Sequence, residues 1–597
     1  MPERAWVGQV LGPLAVAETS PDFSGCRLFE AARVGKKGLL GEVLRVRGRE
    51  VDIQLFEGAS GLAAGEPVRF TGVPLEAELG PGLFGRVLNA AGNPLTGASE
   101  IQNPAKKENY RLERGFRNPE AVSPWGGTWR FRPTVREGDG AAPGDVAGTT
   151  VEAGFLHRVL VPRHVQPGRV AWIAPEGDYG AWDPICRLSG GEEFSMARRA
   201  ALRVSGPAGP RPEGPLSAAG RFLTGWRALD ALFPLAAGGT ALLSGGPGVG
   251  KSTALRSMAC RAGADVVLYV VCGERSVDAA EAAEELFGTG AGDSPARAIL
   301  IVNSSDMPAA GRDLAVCLGM TLAEHYRGMG YRAAVMVDSA SGWMDGLRGI
   351  GACLAEVSRG GIGGPRFPAY LGSRVSACFG RAGEIETASG RGSVTLLMTA
   401  DSEAAGSEVT GSEAGGLEDA SAFHVLRSGA YWHLDRGRAR AWRFPALDRK
   451  RSRSPYGNAP GPAPGEEDDW PELAEYLKTS LAPTPPWGGE ASLSSSLSSA
   501  LSEWGKFHAG TVEAVYLEQE SAARGGARAD LLRFLRALDR AARKALAEGR
   551  SCGEVAALGS RPELLSLRGL SDRDFKGRAR TWLEDFAVKL PLAKPAE

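Results

Sequence analysis

A chain of 597 residues is longer than one hydrophobic core serves, so several domains are expected. Its 43% hydrophobic and 23% charged residues are those of an ordinary soluble globular protein. A formal net charge of -1 excludes bulk electrostatic attraction to nucleic acid or to a membrane surface.

In chain order, residues 5 to 75 carry short β-like runs between glycine turns, at 6–11, 41–46, 51–55 and 67–70. Alternation over such short runs predicts a small antiparallel barrel. Residues 110 to 195 are again β-like and rich in glycine and proline, with strands expected at 155–161 and 168–173, and form a separate β-rich insertion. From 220 to 450 the pattern changes. Apolar runs at 240–244, 266–272, 298–303, 333–338 and 393–400 alternate with helical segments such as 252–262, 278–287 and 310–328. Fully apolar short strands separated by amphipathic helices predict a parallel sheet covered on both faces. A linker follows at 452–503, with Pro460, the acidic run Glu466 to Asp469 and a serine-rich stretch from Ser492 to Ser502. The tail, 504–597, reads as a small helical bundle.

The chemistry begins directly after the first of these apolar strands. Gly245, Gly246, Pro247, Gly248, Val249, Gly250, Lys251 and Ser252 spell the phosphate-binding loop pattern, with Thr253 next on the following helix. In a strand–turn–helix setting, backbone N–H groups and the helix N-terminus converge on a polyphosphate. Lys251 then reaches the β- and γ-phosphates, and the Ser252 hydroxyl ligates Mg²⁺. Glu274 and Arg275 stand at the end of the second apolar strand. A carboxylate there can polarise a water for attack on the γ-phosphate, and an arginine beside it can steady transferred charge; a solvated Glu–Arg pair is the other reading. The run 333–338 ends in Asp338, the form of a carboxylate that holds Mg²⁺, usually through water. The segment Phe367 to Arg374 reads, on local chemistry, as a structural loop.

No stretch has the apolar length of a membrane span and the N-terminus lacks a signal-peptide pattern, so membrane association is expected only through partner proteins. The eight cysteines include no C-x-x-C pair, and the six histidines do not cluster at ligand spacing. A reduced cytosolic setting without disulfides or a structural metal is expected.

Taken together, these motifs resemble the A subunit of the archaeal/vacuolar-type rotary ATPases, almost end to end. The resemblance is carried by Gly58 to Leu62, Glu78 to Leu83, Val159 to Pro162, Trp172 to Gly177, Cys272 to Arg275, Asn303 to Pro308, Thr321 to Glu324, Asp338 to Ser341 and Pro368 to Arg374, in family order and spacing. Flagellar or secretion-type ATPases and Rho-like helicases share the core but lack the inserted "bulge". The resemblance implies a multidomain α/β chain: an N-terminal β-barrel (1–75), a strand segment joining the nucleotide-binding domain (76–110), the inserted bulge domain (111–195), a RecA-like P-loop parallel-sheet core (196–451), a linker (452–503) and a C-terminal helical bundle (504–597). It further implies three copies alternating with B-type subunits in a hexamer, with central and peripheral stalk subunits and a membrane ion-translocating sector, on the cytoplasmic face of a membrane. ATP or ADP with Mg²⁺ sits at each interface, a B subunit lends an arginine finger, and nucleic acid is no partner. Carried over residue by residue, Lys251 is the phosphate lysine, Ser252 the Mg²⁺ hydroxyl, Glu274 the water-activating carboxylate, Arg275 its neighbour and Asp338 the second Mg²⁺ ligand. Phe444 corresponds to an aromatic near the adenine, or else packs at a strand end.

The chain also departs from that family. Gly342 stands where the family has an arginine, Gly349 replaces a carboxylate, and the family's proline-containing loop is degraded at 401–410, after the last expected strand. The family's tail aromatic has no secure match, since Phe507 is out of register. Two readings follow: a working catalytic subunit coupling ATP hydrolysis or synthesis to proton or sodium transport, or a nucleotide-binding paralogue with little turnover and an assembly or regulatory role. A nucleic-acid motor on the same core is opposed by the near-zero charge.

Overall fold

The structure is a computed structural model that describes residues 5–23, 25–95, 127–203, 220–287, 297–358, 368–401, 425–440, 446–448 and 450–456. The chain divides into two units, Met1–Gly225 with Leu235–Ala459 and Trp226–Pro234 with Pro460–Glu597. The described part of the second is a single short helix, Arg227–Leu232. The expected linker beyond 456 and the helical bundle at 504–597 lie outside the described residues, as does Phe507.

In the first unit, six antiparallel strands from Ala5–Leu11 to Val68–Pro74 form one sheet. Its two ends meet through Val7 N–H to Glu66 O at 2.8 Å and Gly65 N–H to Val7 O at 2.7 Å, which closes it. Alternate residues such as Val7, Val43, Val51 and Ile53 point inward and are buried, as a period-two pattern on a closed sheet demands. The insertion is two four-stranded sheets around a core of Phe131, Val159, Ile185 and Leu188. Gly148 lies against Phe131 so closely that a side chain there would overlap the ring. Strand Arg198–Ala201 leads out of it by pairing antiparallel with Glu76–Leu79.

The nucleotide-type core has strands β1 (Thr240–Gly245), β2 (Val266–Cys272), β3 (Ala298–Asn303), β4 (Arg332–Asp338), β5 (Gly390–Asp401) and β6 (Ala430–Leu434). Their spatial order is β6-β1-β5-β4-β2-β3, all parallel, and Val87–Asn89 extends the sheet beyond β3. Every residue of β2 and β3 is buried, which a sheet achieves only when both faces are covered. Helices α1 (Lys251–Arg261) and α2 (Ser276–Phe287) pack together, as do α3 (Gly311–Gly328) and α4 (Ala340–Ser358). A fifth helix, α5 (Pro368–Phe379), occupies the segment expected to be a loop. Pro368 starts it, where the missing N–H of proline costs no intrahelical bond. Proline and glycine resemble loop punctuation in that motif, and the composition misleads because the proline sits at the helix start. The edge strand β6 also lies beyond the expected set: Ala430 to Leu434 mixes aromatic and histidine residues with no apolar run.

Candidate active site

Parallel strands end on one edge of the sheet, so the C-terminal ends of β1, β2, β4 and β5 come together although they lie far apart in sequence. At the end of β1 the chain turns through Gly248 and Gly250, whose φ angles of 75° and 88° suit only glycine. A Cβ at Gly248 would meet nothing within 4 Å, so the space beside the loop tip is open. Gly245 is tight by contrast: a Cβ would lie 2.7 Å from Val249 Cγ2, and Val249 is buried beneath the loop. Gly246 is half-buried, while Pro247 and Gly248 are exposed at the tip. Gly250 caps α1, putting Lys251 and Ser252 in its first turn, with Thr253 exposed beside them. Lys251 Nζ donates to Gly245 O at 3.0 Å and Gly246 O at 2.8 Å, and pairs with Asp401 Oδ1 at 2.9 Å.

Asp338, at the end of β4, is buried and collects hydroxyl donors. Ser252 Oγ donates to Oδ1 at 3.2 Å, Thr399 Oγ1 to Oδ1 at 2.7 Å, and Tyr269 OH to Oδ2 at 3.0 Å. Burial raises the Tyr269 phenol well above its ordinary range, reinforced by the Asp338 charge, so it stays a donor. Ser252 and Asp338 offer facing hard oxygens, the donor type that Mg²⁺ takes, and the open glycine loop with Lys251 suits a polyphosphate.

Glu274 follows the end of β2. Burial raises its carboxyl above the usual range; the Ser339 hydroxyl, donating to Oε1 at 2.7 Å, opposes this, and the charges of Asp338, Asp278 and Asp401 add to the rise. Ser339 Oγ also accepts from Gly342 N–H at 3.2 Å. Arg275 does not join the cluster: its side chain is 79% exposed and its Nε and a terminal nitrogen bond Asp278 at 3.1 Å each. That pairing also brings Arg275 N–H to Asp278 at 3.1 Å, so the arginine helps start α2. Phe444 lies outside the described residues, as do positions 402–410 of the altered loop.

Gly342 is explained by its neighbours. A Cβ there would overlap the carbonyl oxygen of Cys272, and one at Gly273 would lie 2.9 Å from Gly342 Cα. Strand end and helix start therefore touch backbone to backbone. Arg312, from α3, runs along the groove left by Gly273, Gly342 and Gly346 and donates to Gly342 O at 3.1 Å. Sequence reading misses Arg312, Tyr269, Thr399, Ser339 and Asp401. Only Tyr269 and Thr399 leave a trace, as hydroxyls inside otherwise apolar strands.

Three family models match the chain: the ATP synthase alpha/beta family, beta-barrel domain, over residues 7–72; the ATPsynthase alpha/beta subunit barrel-sandwich domain over 126–203; and the ATP synthase alpha/beta family, nucleotide-binding domain, over 225–454. The chain is 35% identical over 485 residues to the A subunit of the A-type ATP synthase of Haloferax volcanii, covering 79% of this chain and 77% of that one. It is 38% identical over 449 residues to the V-type ATP synthase alpha chain of Anaeromyxobacter dehalogenans, covering 74% and 72%. It is 34% identical over 469 residues to the A subunit of the A-type ATP synthase of Thermofilum pendens, covering 76% and 73%.

Proposed function

The chain belongs to the ATP synthase alpha/beta family, among the A subunits of A-type and the alpha chains of V-type enzymes, and from that premise we propose how its site works as the catalytic subunit of a V/A-type rotary ATPase. It hydrolyses or synthesises ATP coupled to proton or sodium transport. The observation that carries this reading is the gathering of Lys251, Ser252, Glu274 and Asp338 at one sheet edge.

The loop N–H groups and the start of α1 hold the phosphates, and Lys251 neutralises the β- and γ-phosphate oxygens. Ser252 and Asp338 hold Mg²⁺, which when bound offsets charge on the transferred phosphoryl group. Thr399 and Tyr269 fix the Asp338 carboxylate by occupying its oxygens. Ser339 pins Glu274 Oε1, and no described residue bonds Oε2, which orients the attacking water and takes its proton. Arg275 serves the helix start and the outer rim of the site. Phe444 is the aromatic that this reading assigns to the adenine.

The chain works in a multi-subunit rotary complex. Within it, alternation with B-type subunits in a hexamer, a trans arginine, and contact with central and peripheral stalks follow from the same reading. No described helix is long and apolar enough to cross a membrane. Attachment to the cytoplasmic face then runs through partner subunits. The weakly active paralogue finds no support among the relatives, which are named as ATP synthase A subunits and alpha chains. Steady-state ATP hydrolysis by the assembled complex tests the reading. Glu274→Gln is expected to lose at least about 100-fold in turnover while still binding MgATP. Equal turnover in both proteins sinks the catalytic assignment.

A further inference from the structure

Lys251 has three N–H donors, and three oxygens take them: Gly245 O at 3.0 Å, Gly246 O at 2.8 Å and Asp401 Oδ1 at 2.9 Å. Two of these acceptors are neutral carbonyls of the loop itself. The third is an anion from another strand. Asp401 is the last residue of β5, and in the parallel register it stands directly beside Gly245, the last residue of β1. Its own N–H donates to Ser341 Oγ at 3.0 Å, at the start of α4. Its position is thus set by sheet register and by a helix start. Lys251 is largely buried, whereas the Asp401 carboxylate is half exposed at the mouth of the site. The carboxylate meets the same ammonium that a polyphosphate requires, and two anions on one cation compete and repel.

Resting on the catalytic reading above, we propose that Asp401 is an affinity-setting residue: its carboxylate competes with the nucleotide's terminal phosphate for Lys251 and weakens nucleotide binding. Binding requires the Lys251–Asp401 pair to open. Release is assisted by the carboxylate returning to the lysine. Asp401 lies at the first position of the 401–410 stretch that departs from family pattern, so the departure carries a function in this chain.

The test is calorimetric titration of the full chain with MgATP and MgADP, comparing wild type with Asp401→Asn, which keeps the side-chain shape and removes the charge. The variant is expected to bind both about fivefold more tightly, the upper range for a partly exposed ion pair. That gain shrinks as salt is raised, because screening weakens the competition. Asp401→Ser gives the same direction and guards against an amide-specific effect. Wild-type binding with no gain in either variant overturns this inference and leaves the catalytic reading standing. Weaker binding in the variants overturns it too, because Asp401 then assists the nucleotide. No MgATP binding by any folded form, in the isolated chain and in the assembled complex alike, removes the catalytic reading and this inference with it.

Discussion

The Ser339 hydroxyl donates a hydrogen bond to Glu274 Oε1 at 2.7 Å, and that bond favours the ionised carboxylate against the burial that opposes it. Removing it in Ser339→Ala raises the Glu274 carboxyl further. A general base is lost as pH falls through its pKa, so the acid limb of kcat/KM for ATP hydrolysis moves to higher pH in the variant. A pH–rate profile measures this, and an unmoved limb would disconnect Ser339 from Glu274. Gly342 makes a different residue-scale demand. Because its Cα side faces the Cys272 carbonyl, Gly342→Ala must push strand end and helix start apart. The expected cost is about 1–3 kcal/mol, read from denaturant unfolding, with turnover falling as Glu274 shifts. Gly342→Arg, which restores the family residue, is expected to lower turnover rather than raise it, because its Cβ meets the Cys272 carbonyl and the groove already holds Arg312. The loss of the family arginine is therefore tied to the local backbone packing, which has room only for glycine. Glycine at 342 was legible; its cause was not, because the carbonyl it avoids comes from another strand.

At the scale of elements, α3 receives the insertion along its last turns. Arg158 donates to Met329 O at 2.6 Å, Tyr331 OH to Leu156 O at 2.6 Å, and Phe155 meets Tyr326 edge-on at 5.9 Å. Beneath these contacts His157 of strand Phe155–Leu160 lies 5.4 Å from His325 of α3, ring to ring. Both are buried, and Arg198 stands beside His325 at 3.4 Å. Burial, then the Arg198 charge, depresses His157 from 6.5 to about 3 and His325 well below its ordinary value. Folded-state values below the unfolded ones mean that the unfolded chain binds more protons in acid. The stability these neutral rings allow is whole above pH 6.5 and is lost as pH falls from there toward 3. Each ring contributes up to about 1.4 kcal/mol per pH unit in that window. Denaturant midpoints between pH 7.5 and 5.5 measure the slope, and His157→Leu is expected to lose its share. An unchanged slope would mean that His157 is protonated when folded. Periodicity foretold the helix and the strand but not their meeting, since each histidine sits alone in its own segment.

Across the described unit, Arg203 joins three parts of the chain. It holds Glu42 of the barrel through Nε at 2.6 Å and Asp313 of α3 through a terminal nitrogen at 2.6 Å, and Trp343 Nε1 completes Asp313 at 2.9 Å. Gln54 of the barrel also donates to Ala310 O at 3.1 Å. Arg203→Met removes the cation that bonds both buried carboxylates and leaves them only the more distant charge of Arg374, and a loss of about 3–5 kcal/mol is expected from denaturant unfolding of this unit. A loss near zero would show that water reaches both acids. The outline of the whole was readable from the chain alone. Apolar runs, their lengths and their glycine punctuation depend on neighbours in sequence, so β1 to β5, the phosphate loop, Glu274 and Asp338 could be named in advance. The order β6-β1-β5-β4-β2-β3 could not, because strand order in space is settled by packing and crossover, not by position in the chain. That order sets Asp401 beside Gly245, Thr399 and Tyr269 against Asp338, and Arg312 under Gly342. Sequence by itself determined which groups can handle a phosphate; the sheet decided which charges they must share it with, since only folding brings distant strand ends within hydrogen-bond reach.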